Sequence, residues 1–218
     1  MHFFQRILGM ITNPDATTDD IAKEPRVEEG LILVGIYMIL MIISAYIAFS
    51  HVQITGSYQG LDAASMSTIL LVGVVLGAIF YSLICWPITA AVVRGLSRAL
   101  GGSGKFYPKL LTLIGYCMIP LILVSLISII LAFFIPTTVM DLTSLSSGLQ
   151  SVSTTTTSAT NSAISLISII VSLAGALWTA FMMFFAVKNG EKLDVNKSLA
   201  IVAILFIVNL LITYRSLI

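Results

Sequence analysis

The residues able to attack, ligate a metal or carry a proton are few. Cys85, Cys117, His2 and His51 are all the cysteine and histidine in a chain of 218 residues. A catalytic site needs groups that take up protons, act as nucleophiles or bind metal. Structural zinc takes four ligands, so two thiols fall short, and buried apolar cysteine accounts better for both. His2 and His51 flank the first apolar run on opposite sides and cannot share an ion. Gly101-Gly102-Ser103-Gly104-Lys105 invites comparison with a phosphate-binding loop but fails it. Ala99 stands where the first glycine belongs, Phe106 follows the lysine in place of Ser or Thr, and no strand precedes. The glycines read instead as a sharp turn. The chain is expected to have no catalytic residue, metal or cofactor.

The elements that carry these residues are membrane helices. At 58% hydrophobic and 10% charged, the chain has too few polar residues to cover a soluble globule of this length. Apolar runs of roughly 20 residues cross a bilayer core of about 30 Å. Such runs occupy 31–50, 68–93, 109–135, 162–187 and 198–216. Helices are the default, because each segment must satisfy its own backbone in lipid.

Charge fixes the expected orientation. Of 11 Lys and Arg, only Arg215 lies outside 1–30, 94–109 and 188–197. Cationic segments resist translocation, so these gaps are read as cytoplasmic, the N-terminus as inside and the C-terminus as outside. Most Asp and Glu, Glu29 and Glu191 among them, share the same side. The face is therefore mixed in charge, and with a net charge of +1 no nucleic-acid partner is expected.

Residues 1–30 form a separate cytoplasmic segment, and 31–218 the membrane domain. Phe3, Phe4, Ile7, Leu8 and Ile11 recur at helical spacing, as in an amphipathic helix lying in the interface plane. A helix packed on the ends of the spans satisfies the pattern equally well. Asn13-Pro14 breaks this helix, and Thr17 with Asp20 reads as the start of a second one that Pro25 ends. The Ser/Thr-rich stretch 141–161 reads as a mobile external loop, with O-glycosylation as the sharper alternative.

Pro87 and Pro120 each remove a backbone donor within a span. Such breaks build pockets in transporters or serve packing, and packing is preferred here. Tyr116 is expected to face protein and to bond the carbonyl of residue 83, freed by Pro87, or a Ser/Thr hydroxyl. No charged residue falls inside a span, which disfavours ion-coupled transport.

The segment LGGSGKFYPKLLTLIGYCMIPLIL at 100–123 resembles the signature of the Yip (Ypt/Rab-interacting) membrane proteins. The matching residues are Gly101, Gly102, Gly104, Phe106, Gly115, Tyr116 and Pro120, and the opening FFQRILGMITNPDATTDDIAKEP is similar too. The resemblance covers nearly the whole chain and implies five spans with a cytosolic N-terminus. About thirty residues precede the first span, without the Asp-Leu-Tyr-Gly-Pro-like motif of eukaryotic members. The chain therefore resembles the compact prokaryotic branch, in a plasma membrane, and Rab-type GTPase binding is not carried over.

The expected fold is all-α, a polytopic membrane bundle of five transmembrane helices with a short N-terminal interfacial amphipathic helix. The expected role is non-enzymatic: organising or shaping the membrane, or scaffolding partners. Its partners would be membrane lipids and other membrane proteins or further copies of itself. The alternative is a transporter, channel or lipid-moving protein with a pathway at the kinked second and third spans, near Pro87, Tyr116 and Pro120.

Overall fold

A computed structural model describes residues 1–58, 60–135, 137–141 and 158–214. The external loop expected at 141–161 falls mostly on 142–157, outside the described residues, as does Arg215. Among the described residues, four helices are long and apolar enough to cross a membrane: Val27–Ser50, Ala63–Ala99, Phe106–Ala132 and Ile164–Glu191. The fifth apolar helix has a shorter such stretch, Val195–Leu211. The chain is thus a helical polytopic membrane protein.

Two compact units are formed, one from 1–37, 82–123 and 173–218, the other from 38–81 and 124–172. In the first, α1 (Phe3–Thr12) opens with the His2 N–H donating to Gln5 Oε1 at 3.0 Å. It ends at Asn13, whose N–H returns to the Gly9 carbonyl at 2.7 Å. Asn13 also caps α2 (Pro14–Lys23), accepting from the Ala16 N–H at 3.3 Å. The second helix therefore starts at Pro14, not at Thr17. A proline lacking its N–H is well suited to the first helical position, and Asn13 supplies the cap that Thr17 was expected to give.

Helix α3 (Val27–Ser50) follows, and later α4 (Ala63–Ala99) passes through Pro87 without a break. The next span does break. Its helical course runs through a wide turn at Phe106–Leu110, then α5 (Leu111–Tyr116) and α6 (Ile119–Ala132). Pro120 explains the gap, since it offers no N–H to the Tyr116 carbonyl and its ring would crowd it. Met118 instead donates back to the Gly115 carbonyl at 3.1 Å. Helices α7 (Ser158–Glu191) and α8 (Val195–Tyr214) complete the chain.

The buried side chains of this unit fall into two groups. Met10 of α1 and Ile21 of α2 pack with Leu33, Leu113, Tyr116 and Met182. Val34, Trp86, Val93, Leu110, Val187 and Ile201 form the other. The Trp86 Nε1 donates to the Leu111 carbonyl at 3.0 Å and ties α4 to α5.

In the second unit, β1 (Val52–Thr55) pairs in parallel with β4 (Thr138–Asp141), Val52 opposite Thr138. β2 (Ser57–Tyr58) pairs antiparallel with β3 (Leu61–Asp62). These strands lie in the connections between spans, where no regular structure was expected. Val52 and Ile54 are half-buried while Gln53 is exposed, an alternation too short to stand out in the sequence.

Candidate functional site

Two glutamates that sequence analysis assigned to the charged ends of the spans are buried, and both are held by residues of the family-like motif. Glu29 lies in the first turn of α3 and is 6% exposed. Its Oε2 accepts from Arg6 Nη1 at 2.9 Å and from the Tyr116 hydroxyl at 2.6 Å. Arg6 and Tyr116 are both fully buried. Arg6 Nε also donates to Asp20 Oδ2 at 3.0 Å. One arginine therefore joins α1, α2 and α3, which is why its helix lies against the bundle.

Tyr116 faces protein, but its partner is a carboxylate and not the carbonyl of residue 83 or a hydroxyl. The neighbouring glycines explain how it gets there. A Cβ on Gly115 would meet the Gly30 Cα at 2.6 Å, so α5 crosses α3 at backbone contact. Gly115-Tyr116 thereby lies against Glu29-Gly30, the one pair supplying the close approach and the hydrogen bond, the other receiving both.

The second carboxylate is Glu191, fully buried at the end of α7. Its Oε2 accepts from Arg94 Nη1 and from the Gly104 N–H, the latter at 3.0 Å. The Ser103 N–H donates to the Glu191 carbonyl, also at 3.0 Å. The glycine loop that resembles a phosphate cradle thus cradles a carboxylate of its own chain. Gly101, at φ +89, turns the chain out of α4. A Cβ on Gly104 would lie 2.3 Å from the Gly190 carbonyl oxygen, and one on Gly102 would lie 2.9 Å from that of Ser97. The turn expected of these glycines is present, and the space they leave holds Glu191.

A third tie joins α2 to α7. Lys188 Nζ lies 2.8 Å from Asp15 Oδ1, and the Asn189 amide donates to Asp15 Oδ1 and to the Thr18 hydroxyl. Hydrogen bonds from Lys188 and Asn189 hold the Asp15 carboxyl below the usual carboxylate range. A depressed carboxyl stabilises the folded state above its unfolded value of about 3.9, and that contribution is lost as pH falls through the folded value. Protease nicking within 14–23 should therefore rise on acidification, and Asp15→Asn should flatten that part of the profile. An unaltered profile in the variant would count against this tie.

The apolar residues of α1 divide between two faces. Phe3 and Ile7 pack on the core, with the Phe3 and Tyr116 ring centres 6.3 Å apart. Phe4, Leu8 and Ile11 are exposed, at 76%, 63% and 41%. One side of α1 is therefore packed on the core and the other is exposed.

Of the other residues singled out, Phe106 is half-buried against the second core group. Cys117 is buried and Cys85 half-buried. Among the described residues no three His, Cys, Asp or Glu side chains gather as metal ligands. Tyr116, placed by sequence on a pathway with Pro87 and Pro120, is committed to Glu29. Arg6, Glu29, Arg94 and Glu191 were missed as functional residues, though a glutamate directly before a glycine at the mouth of an apolar run was a usable signal.

An uncharacterized protein of Methanocaldococcus jannaschii is 31% identical over 131 residues, covering 59% of this chain and 89% of the relative. No solved structure shows a significant match to the chain. The Yip1 domain model matches residues 8–215, which include the Glu29-facing pair, the glycine loop and the five apolar runs up to residue 215. The chain belongs to the Yip1 domain family of membrane proteins.

Proposed function

We propose that this protein is a non-enzymatic organiser of the membrane, acting from the charged ends of its helices. The observation that carries this reading is α1, pinned by buried Arg6 while Phe4, Leu8 and Ile11 point outward. Arg6 reaches Glu29 in the first turn of α3, and Leu31 and Ile32 in the same helix are about half exposed. On this reading α1 lies at the depth where the lipid-facing surface begins. Each of its three exposed side chains gains about 1.5–3 kcal/mol on full burial. Inserted in one leaflet only, they would expand that leaflet against the other.

In this reading the chain makes five spans, with residues 1–30 cytoplasmic and 31–218 forming the membrane domain of a prokaryotic plasma membrane. Lipids are its first partner, and other membrane proteins or further copies could gather on the same face. Reconstituted into vesicles, the wild type should change their shape by electron microscopy. Phe4→Ser, Leu8→Ser and Ile11→Ser together should abolish the effect while leaving the melting temperature in detergent nearly unchanged. Vesicles unaltered by wild-type protein, or solute or lipid flux through it, would overturn the reading in favour of a transport role. Orientation is checked by Ser103→Cys, which should label only from the cytoplasm, and Ser57→Cys, which should label from outside.

A further inference from the structure

Successive side chains of a helix are turned by about 100° from one another. Taken in that order around α1, Met10, Phe3, Ile7, Ile11, Phe4 and Leu8 form one unbroken apolar arc. The bundle covers only its first half, Met10, Phe3 and Ile7. Past Leu8 come Thr12 and Gln5, both exposed and both uncharged. Gly9, seated against Thr17 of α2, and buried Arg6 complete the circle. Core, open apolar side, neutral polar side: that is the order of protein, acyl chain and water around a helix lying in the interface plane.

The open side carries no charge, since Arg6 is the only ionisable side chain of α1 and faces inward. The cations nearby are matched as well. Arg6 pairs with Asp20 and Glu29, Lys23 with Asp19, and Arg26 with Glu24. Residues 1–30, all of them described, hold these three cations against six carboxylates. Anionic headgroups are drawn by free Lys and Arg at the membrane surface, and this segment offers neither. What is left to seat α1 is burial of Ile11, Phe4 and Leu8, which is gained only where headgroups part.

We propose that α1 senses lipid packing: it recognises loosely packed membrane through its open apolar side and is blind to headgroup charge. This rests on the interfacial placement of α1 proposed above and adds which membrane it selects.

The test is a nitrobenzoxadiazole label at Leu8→Cys in the full chain, its emission read after reconstitution into vesicles. Labelled wild type gives the background from Cys85. Emission should be blue-shifted in dioleoyl phosphatidylcholine and less so in the more tightly packed palmitoyl-oleoyl lipid. Replacing part of the dioleoyl lipid by dioleoyl phosphatidylglycerol, or raising the salt, should leave it unchanged. Gln5→Lys with Thr12→Lys puts cations beside the open side. Phosphatidylglycerol should then favour the inserted state about fivefold per lysine, and salt should reverse the gain. A native-sequence shift that grows with phosphatidylglycerol and falls with salt would overturn the proposal. So would equal emission in the two phosphatidylcholines, although the interfacial placement would then stand. Water-like emission in every vesicle would overturn both. Emission that follows the protein-to-lipid ratio instead of the lipid would assign the open side to a second copy and overturn the proposal too.

Discussion

Replacing Glu29 by alanine should release the N-terminal helices from the bundle and cost about 3–5 kcal/mol, the usual result of removing one partner of a buried ion pair. Arg6 is fully buried, and its Nη2 has no partner nearer than Glu24 at 3.9 Å. Without Glu29 it would keep Asp20 through Nε but bury a charge that is only half answered. The Tyr116 hydroxyl would lose its acceptor at the same time. Tyr116→Phe removes just that bond to a charged group and should cost about 1.5–3 kcal/mol. Thermal melting in detergent measures both, and proteolysis between 12 and 27 reports release of α1 and α2. The double change Arg6→Met with Glu29→Leu separates specificity from stability, since an apolar pair of similar volume is often neutral or better. If Glu29→Ala melts like wild type, the arginine does not anchor α1.

What the sequence revealed and what it concealed follow from the range of each interaction. Apolar runs declare themselves locally, so the runs at 31–50, 68–93 and 162–187 pointed to the helices Val27–Ser50, Ala63–Ala99 and Ile164–Glu191, though not to their ends. Pro120 signalled the break at Cys117–Met118, whereas the same signal at Pro87 is not followed by one, because α4 runs on through it. The carboxylate partners were not legible. Glu29 and Tyr116 are 87 residues apart, and so are Gly104 and Glu191. Nothing at either end of such a pair shows that its charge will be buried. An acidic residue beside an apolar run looks like a solvated flank, and that is how Glu29 and Glu191 were read. The motif residues Gly101, Gly102, Gly104, Gly115 and Tyr116 carried the missing information in another form. Each is small, or a phenol, where a larger or apolar residue would pack as well in an isolated helix. The structure supplies the reason: a carboxylate or a backbone lies against Gly102, Gly104, Gly115 and Tyr116, and Gly101 takes the left-handed turn at φ +89. The short strand pairs at 52–62 and 138–141 escaped for the opposite reason, having too few residues to set a period.

Glu191→Ala should be the second costly change and the more diagnostic one. The substitution leaves Arg94 and the Gly104 N–H aimed at an empty space shaped for an anion. Arg94 retains some solvent, at 26% side-chain exposure, so the loss should fall near the lower end for a broken buried pair, about 3 kcal/mol. Because the donors remain in place, a small carboxylate supplied from solution has somewhere to bind. Formate or acetate should therefore raise the melting temperature of Glu191→Ala by mass action while leaving the wild type, whose cradle is filled, unmoved. Gly104→Ala provides the contrast. It adds a methyl group 2.3 Å from the Gly190 carbonyl oxygen, a clash with backbone that cannot swing away. That variant should be destabilised as well, yet acetate should not restore it, because its fault is steric and its carboxylate is still present. If acetate stabilises wild type and Glu191→Ala alike, the loop is not an anion cradle, and its glycines serve the turn alone.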